Sequence, residues 1–324
     1  MDGGRTIQGI DDKLISYLRS ELQDQRLAYS TPPTPVEGGY DTAIYRFQLE
    51  GASDELAEPL ILRVFAGSSP NRAAFESLVQ GAVAGVGYPA PKVHFTCTDE
   101  AVLGAGFLVM ELMPGRPMTD LPEEVMPDML AEAHLHLHGI DADPIREALE
   151  SSGFNSSRQS FDNLIRGFTK QVEERRYDWL HDGLEWLKRN RPRKPKRPVI
   201  CHGDFHPLNL LVEDGRVSGV LDWAGFLLGE PAYDVGTTVF LGQVAAPALL
   251  PEIDWTRLVS RYLELYLSSS PLEPERVDYY SAFRCLWAMF EGAEGHMAWG
   301  HPEVRGRLTD YFQGKTGVAI EQHS

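Results

Sequence analysis

The stretch Val199–Gly236, VICHGDFHPLNLLVEDGRVSGVLDWAGFLLGEPAYDVG, constrains this chain more than any other. Three apolar runs of strand length, Pro198–Cys201, Asn209–Val212 and Val217–Leu221, alternate with polar links. The link Glu213-Asp214-Gly215-Arg216 suits a tight hairpin, because Asp-Gly tolerates positive φ. A chain patterned in this way gathers Asp204, Asn209 and Asp222 at the ends of adjoining strands, five and then thirteen residues apart. One such residue would be an ordinary turn former. Three oxygen donors in this order suit a divalent cation and a proton acceptor beside a phosphate.

Phosphoryl transfer asks a protein mainly for positioning and charge neutralisation. Magnesium takes hard oxygen ligands, one or two of them carboxylates, with phosphate oxygens and water completing the shell. Asp222 fits the carboxylate that bridges metal and nucleotide phosphates, and Asn209 fits an amide-oxygen ligand. Asp204 is then the group that orients or deprotonates an acceptor hydroxyl. At these residues the chain resembles the aminoglycoside phosphotransferase and choline kinase family, relatives of the protein kinases. His202-Gly203-Asp204 stands where kinases carry H-R-D, Asn209 keeps the offset, and Asp222-Trp223-Ala224 occupies the place of D-F-G. Leu208 departs from the glycine the family often has there. Gly229-Glu230-Pro231-Ala232-Tyr233-Asp234 resembles the family's G-D-P-x-x-D segment, with glutamate in place of the first aspartate.

The resemblance implies a bilobal, protein-kinase-like α+β fold. A small antiparallel-sheet lobe over residues 1–112 would bind ATP or GTP, and a larger, mainly helical lobe over residues 113–324 would carry catalysis and the acceptor. It further implies Mg2+, a small hydroxylated acceptor, and supporting roles for Asp234, as a brace of the catalytic loop, and for His202. His206 is a loop residue or a substrate contact, and Cys201 a small buried hydrophobe.

In the first lobe, Leu14, Ile15, Leu18 and Leu22 predict a helix over Asp11–Leu27. Tyr29–Glu37 is proline-rich and polar and is expected to be loop. Tyr45, Phe47 and Leu49 alternate as in a half-buried strand, preceded by Gly38-Gly39 as either a phosphate-covering turn or a plain hairpin. Leu60–Phe65 is the next strand. By resemblance its Arg63 stands where kinases carry a phosphate-binding lysine, and arginine can grip a phosphate through two parallel hydrogen bonds. The alternative is an outward-facing arginine on the sheet. Ser69 before Pro70 suits a helix start, and Phe75, Leu78, Val79 and Ala82 line one face as far as Gly85 or Gly87. Glu76 on this helix corresponds to the glutamate that pairs with the strand cation, or is a solvated charge. After the strand Phe107–Leu112, backbone groups of Glu111, Leu112 and Met113 are expected at a purine edge.

The rest reads as helical. Within Met126–His138 only His134 and His138 share a face, and no carboxylate accompanies them locally. A packing surface therefore fits better than zinc. Further helices follow Phe161 and span Trp255–Leu267 and Val277–Trp299, expected to form the acceptor wall, with Glu291 and Glu294 as candidates to face it.

Cys97, Cys201 and Cys285 are odd in number and lack metal-ligand spacing, which favours a reducing compartment. The start MDGGRTIQGIDDKLI shows no leader pattern and no apolar run reaches membrane length, so a cytoplasmic protein away from membranes is expected. A formal charge of −17 argues against nucleic acid and is compatible with a cationic acceptor. Lys188 to Arg197, with seven basic residues in ten, reads as a solvated loop. The chain lacks a Walker loop, a G-x-G-x-x-G turn and a G-x-S-x-G elbow, which disfavours dinucleotide enzymes and α/β-hydrolases. Two alternatives remain: a nucleotide-binding regulatory module without transfer activity, and, less favoured, a protein kinase, because no Ala-Pro-Glu segment follows Asp222.

Overall fold

The computed structural model describes residues 7, 9–36, 42–65 and 70–321. The chain divides into two compact units, Met1–Gly115 with Ser218–Leu221, and Arg116–Val217 with Asp222–Ser324.

The first unit is organised by alternation along strands. It holds helix α1 (Ile10–Leu22), strands β1 (Ala28–Pro35), β2 (Ala43–Glu50) and β3 (Leu60–Val64), helix α2 (Pro70–Gly85), and strands β4 (Val93–Cys97) and β5 (Phe107–Glu111). The strands form one antiparallel sheet in the order β1-β2-β3-β5-β4. Successive side chains of β3 point to opposite faces. Leu60, Leu62 and Val64 join Leu14, Leu18, Phe47, Phe107 and Val109 in a core under α1. Phe65, Ala73 of α2 and Leu108 form a smaller cluster on the other side. Each fully buried large apolar side chain contributes roughly 1.5–3 kcal/mol. That burial, more than the short strands themselves, holds the sheet.

Two expectations are corrected here. Tyr29–Glu37 is not a loop, because Ala28–Pro35 forms the edge strand β1. Its pairing with β2 runs Thr31↔Gln48 then Thr34↔Arg46, with a register shift between them, so Pro32 and Pro33 sit where the ladder is irregular. Proline is tolerated on a sheet edge and at a bulge, where no N–H is needed. The leading helix ends early, at Leu22, because Gln23 turns left-handed at φ 52°. Gly38-Gly39 and Ser69 lie outside the described residues.

The second unit is mainly helical: α3 (Met126–Gly139), α4 (Phe161–Arg175), α5 (His181–Arg189), α6 (Pro231–Phe240), α7 (Trp255–Ser269), α8 (Pro274–Ala293) and α9 (Pro302–Thr316). Short strands β6 (Val199–Cys201), β7 (Leu210–Glu213) and β9 (Leu227–Gly229) frame the central loops, and β8 (Arg216–Val220) begins in this unit and has its Ser218–Val220 in the first. The β7–β8 turn has Asp214 at φ 50° and Gly215 at φ 74°, the positive values expected of its Asp-Gly. The basic stretch is only partly loop, since Lys188 and Arg189 complete α5. Arg191 and Lys194 both pair with Asp162, and Lys188 with Glu185. α6 lies tightly against α8. A Cβ on Gly236 would come within 2.7 Å of the Val277 carbonyl oxygen and 2.9 Å of the Ser281 nitrogen, both rigid helix backbone. Gly236→Ala is therefore expected to destabilise the protein by about 1–3 kcal/mol, read as a lower urea midpoint.

Candidate active site

Asp234 organises the loop that carries Asp204. It lies on α6, is wholly buried, and accepts the backbone N–H of His202 at 2.6 Å and of Gly203 at 2.7 Å. His138 Nε2 stands 3.3 Å and His134 Nε2 3.2 Å from the same carboxylate. The His138 contact has hydrogen-bond geometry, whereas His134 is close but off the line of a good hydrogen bond. Burial alone would raise the Asp234 pKa, yet its histidine and amide neighbours hold it well below the carboxylate range. Each histidine also lies 2.7 Å from a phenol through Nδ1, His134 from Tyr262 and His138 from Tyr266. The simplest assignment gives Nε2–H to the carboxylate and lets Nδ1 accept from the tyrosines. Here the sequence left out a partner. His134 and His138 do meet a carboxylate, supplied 96 residues after His138 by a different helix. The three groups lie close enough together to hold a metal ion. The donors gathered on Asp234 already account for its charge, so the cluster reads as a brace.

With its amide nitrogens turned toward Asp234, the loop bends sharply. Gly203 adopts φ 81°, and a Cβ there would fall 2.1 Å from the Gly225 carbonyl oxygen. The His202 ring lies beside that of Trp223, centroids 4.7 Å apart and tilted by 58°, and accepts the Asp204 N–H through Nδ1 at 3.2 Å. The segments bearing Asp204 and Asp222 therefore touch, through Gly203 against Gly225. Asn209 closes the group: its Nδ2 donates to the Asp204 carbonyl at 2.9 Å and to Asp204 Oδ2 at 3.1 Å. With that nitrogen committed, Oδ1 is the atom left to meet a cation. Asp222 occupies the left-handed region at φ 63° and ψ 72°, a conformation costing of order 1–3 kcal/mol that concentrates at functional sites. These are hard oxygen donors of the kind magnesium takes.

Burial opposes ionisation of Asp204, but His206, 3.3 Å from Oδ2, and the cationic Arg284 outweigh it and hold the carboxyl below its ordinary range. It is ionised at neutral pH and suited to accept a hydrogen bond from a hydroxyl. Arg284, which nothing in the sequence singled out, lies on α8. Cys201, fully buried behind the loop, has its thiol pushed well upward by desolvation.

In the first unit Arg63 does not face outward. It is 7% exposed, on the β3 face opposite Leu62, with Nη1 3.1 Å from Glu76 Oε2 and Nε donating to Thr42 Oγ1 at 3.1 Å. Nor is Glu76 solvated: it is 3% exposed and also receives Arg72 Nε at 2.8 Å. The N–H groups of Glu111 and Leu112 are spent on the Lys92 and Pro59 carbonyls. Of the three residues expected at a purine edge, Glu111 and Leu112 therefore have no N–H to offer. In the second unit, Glu291 and Glu294 are both engaged by arginines, Arg284 and Arg175.

The brace carries a pH signature. Desolvation first, then the neighbouring His138, pushes His134 down to about 4. The unfolded chain therefore binds a proton near pH 6.5 that the folded chain refuses, and stability is lost as pH falls from 6.5 toward 4. In urea unfolding, His134→Gln is expected to flatten this dependence; an unchanged slope would remove His134 from its cause.

Comparison with known proteins agrees with this architecture. Residues 33–280 match the phosphotransferase enzyme family. The aminoglycoside 3'-phosphotransferase of Streptomyces fradiae is 28% identical over 197 residues, 56% of this chain and 70% of that protein. The human acyl-CoA dehydrogenase family member 11 is 29% identical over 173 residues, 49% of this chain but only 22% of that protein. The chain thus spans roughly a fifth of the relatives bearing that name. A solved aminoglycoside phosphotransferase, in ternary complex with AMP-PNP and hygromycin B, superposes with a TM-score of 0.64 at 18% identity, over 94% of this chain and 99% of that one. The fold is the bilobal kinase-like one, with a small antiparallel-sheet lobe and a larger helical lobe. No helix among the described residues is long and apolar enough to cross a membrane. Taken with the match over most of its length, the chain belongs to the phosphotransferase enzyme family.

Proposed function

We propose that this protein transfers the γ-phosphate of ATP or GTP to a hydroxyl of a small molecule, with magnesium. The observation that carries this reading is the Gly203–Gly225 contact, which sets the Asp204 and Asp222 segments side by side with Asn209 hydrogen-bonded to Asp204. Asp222 and Asn209 would hold magnesium, which supplies charge neutralisation to the nucleotide phosphates. Asp204 accepts the hydrogen bond of the acceptor hydroxyl and aims its oxygen in line. As the new O–P bond forms, the bond from the γ-phosphorus to the bridging oxygen breaks, the nucleoside diphosphate leaves, and the hydroxyl proton passes through Asp204 to solvent. A carboxylate this acidic orients more than it deprotonates, which suits a loose transition state. Arg63, fixed by Glu76, is the proposed phosphate contact of the first unit, and Met113 the purine contact. The AMP-PNP and hygromycin B bound by the fold neighbour support a nucleotide donor and a small hydroxylated acceptor. At long range the acidic chain would steer a cationic acceptor toward the molecule.

Asp204→Asn should lower turnover by roughly 100-fold or more while leaving nucleotide affinity within a factor of about two, a pattern typical of lost acid–base help. Asp222→Ala should instead weaken magnesium-dependent nucleotide binding, measured by calorimetry with AMP-PNP. Retained turnover in the first variant, or undiminished binding in the second, would refute the respective role.

A further inference from the structure

Along α8 most side chains from Val277 to Gly292 are buried, and beyond Asp278 one stripe opens: Arg284, Trp287 and Glu291, spaced three and then four residues apart. That spacing puts all three on one helix face. They are bonded to one another. Arg284 Nη1 donates to Glu291 Oε2 at 3.0 Å, and Trp287 Nε1 donates to Glu291 Oε1 at 2.9 Å. Both oxygens of Glu291 are thereby occupied. The guanidinium lies over Trp299 at 5.1 Å and over Phe240 at 5.8 Å, held flat by rings and by Glu291. Among the described residues no other hydrogen bond to Arg284 occurs, so Nε and Nη2 keep their N–H donors, and the side chain is 15% exposed. Phe240, beneath the guanidinium, lies on the same helix as Thr238, whose Oγ1 donates to the carbonyl of Phe205, the residue after Asp204, at 2.7 Å, and the Arg284 charge helps hold the Asp204 carboxyl down.

This arrangement opposes a cationic acceptor. The two glutamates expected to face the acceptor, Glu291 and Glu294, are each neutralised by an arginine. What remains near Asp204 with hydrogen-bonding capacity to spare is a positive fork, preorganised by aromatic faces, of the geometry that receives carboxylate or phosphate through two parallel bonds. Whole-chain charge acts at long range and is screened by salt within about 10 Å, so contact chemistry decides what the site holds.

We propose that Arg284 binds an anionic group, carboxylate or phosphate, carried by the acceptor whose hydroxyl Asp204 orients. The proposal rests on the phosphotransferase reading and names the class of acceptor it takes: a hydroxy acid or a phosphorylated alcohol.

Four probes sharing a short hydroxylated skeleton test it: glycerate, glycerol 3-phosphate, glycerol and ethanolamine. Each is titrated into the full chain with magnesium and AMP-PNP, following the Arg284 Nε–H signal by 15N NMR, and each is offered with ATP in a product assay. At least one anion should saturate the Nε–H shift, with glycerol and ethanolamine inert, and glycerate against glycerol 3-phosphate tells carboxylate from phosphate. Arg284→Gln should weaken that anion roughly tenfold or more, since hydrogen bonds to charged groups are worth about 1.5–3 kcal/mol. Its AMP-PNP affinity should stay the same, and Arg284→Lys should restore part of the loss. Ethanolamine binding as well as the anions, no anion binding at all, or unchanged anion affinity in Arg284→Gln would each overturn the proposal. Loss of the phosphotransferase reading has a different sign: no dependence of AMP-PNP binding on Asp222, whatever the anions do.

Discussion

One buried carboxylate holds the central loop in place. Asp234 draws the amide hydrogens of His202 and Gly203 inward, which fixes the backbone that carries the next residue, Asp204. A buried charge is tolerable only when paired and hydrogen-bonded, and Asp234 meets that condition with donors from a loop and from α3. The tyrosines of α7 then fix the histidines in turn. Three helices and the loop that carries Asp204 are thus tied to one charge, which is why local positioning at Asp204 depends on residues far away in sequence.

Much of this was legible beforehand, for local reasons. Spacing within Val199–Gly236 placed the three oxygen donors, and Asp-Gly announced the hairpin, because both depend on neighbours a few residues apart. Alternation in β3 and the helical stripe of α2 gave the elements, while the pairing of Arg63 with Glu76 came from the family resemblance. The errors have a common cause. Proline content argued for a loop at Tyr29–Glu37, whereas an outer strand needs few N–H groups and tolerates prolines at a bulge. His134 and His138 showed no carboxylate because theirs comes from another helix. Glu291 looked available to a ligand because its arginine lies a full two turns earlier on the same helix. The i,i+7 spacing of Arg284 and Glu291 was the overlooked signal. Tertiary partners of this kind are decided by packing, which periodicity alone does not report.

Charge works here on two scales. The chain as a whole is strongly acidic, yet Glu291 and Glu294 are spent on pairs with Arg284 and Arg175. Asp204 is surrounded by His206, His202 and Arg284, which favour its anion. Net charge therefore says how the molecule behaves at a distance. The paired residues say what it can hold.

The meeting of Gly203 with Gly225 has a consequence for how such a site can change over time. Two bare backbones in contact set the gap between the two acidic segments at the minimum that matter allows, with no side chain in between to be trimmed or lengthened. Drift at either position can only widen that gap. Change around the loop is thereby channelled to the side chains of the surrounding helices, while the spacing of the two segments stays locked.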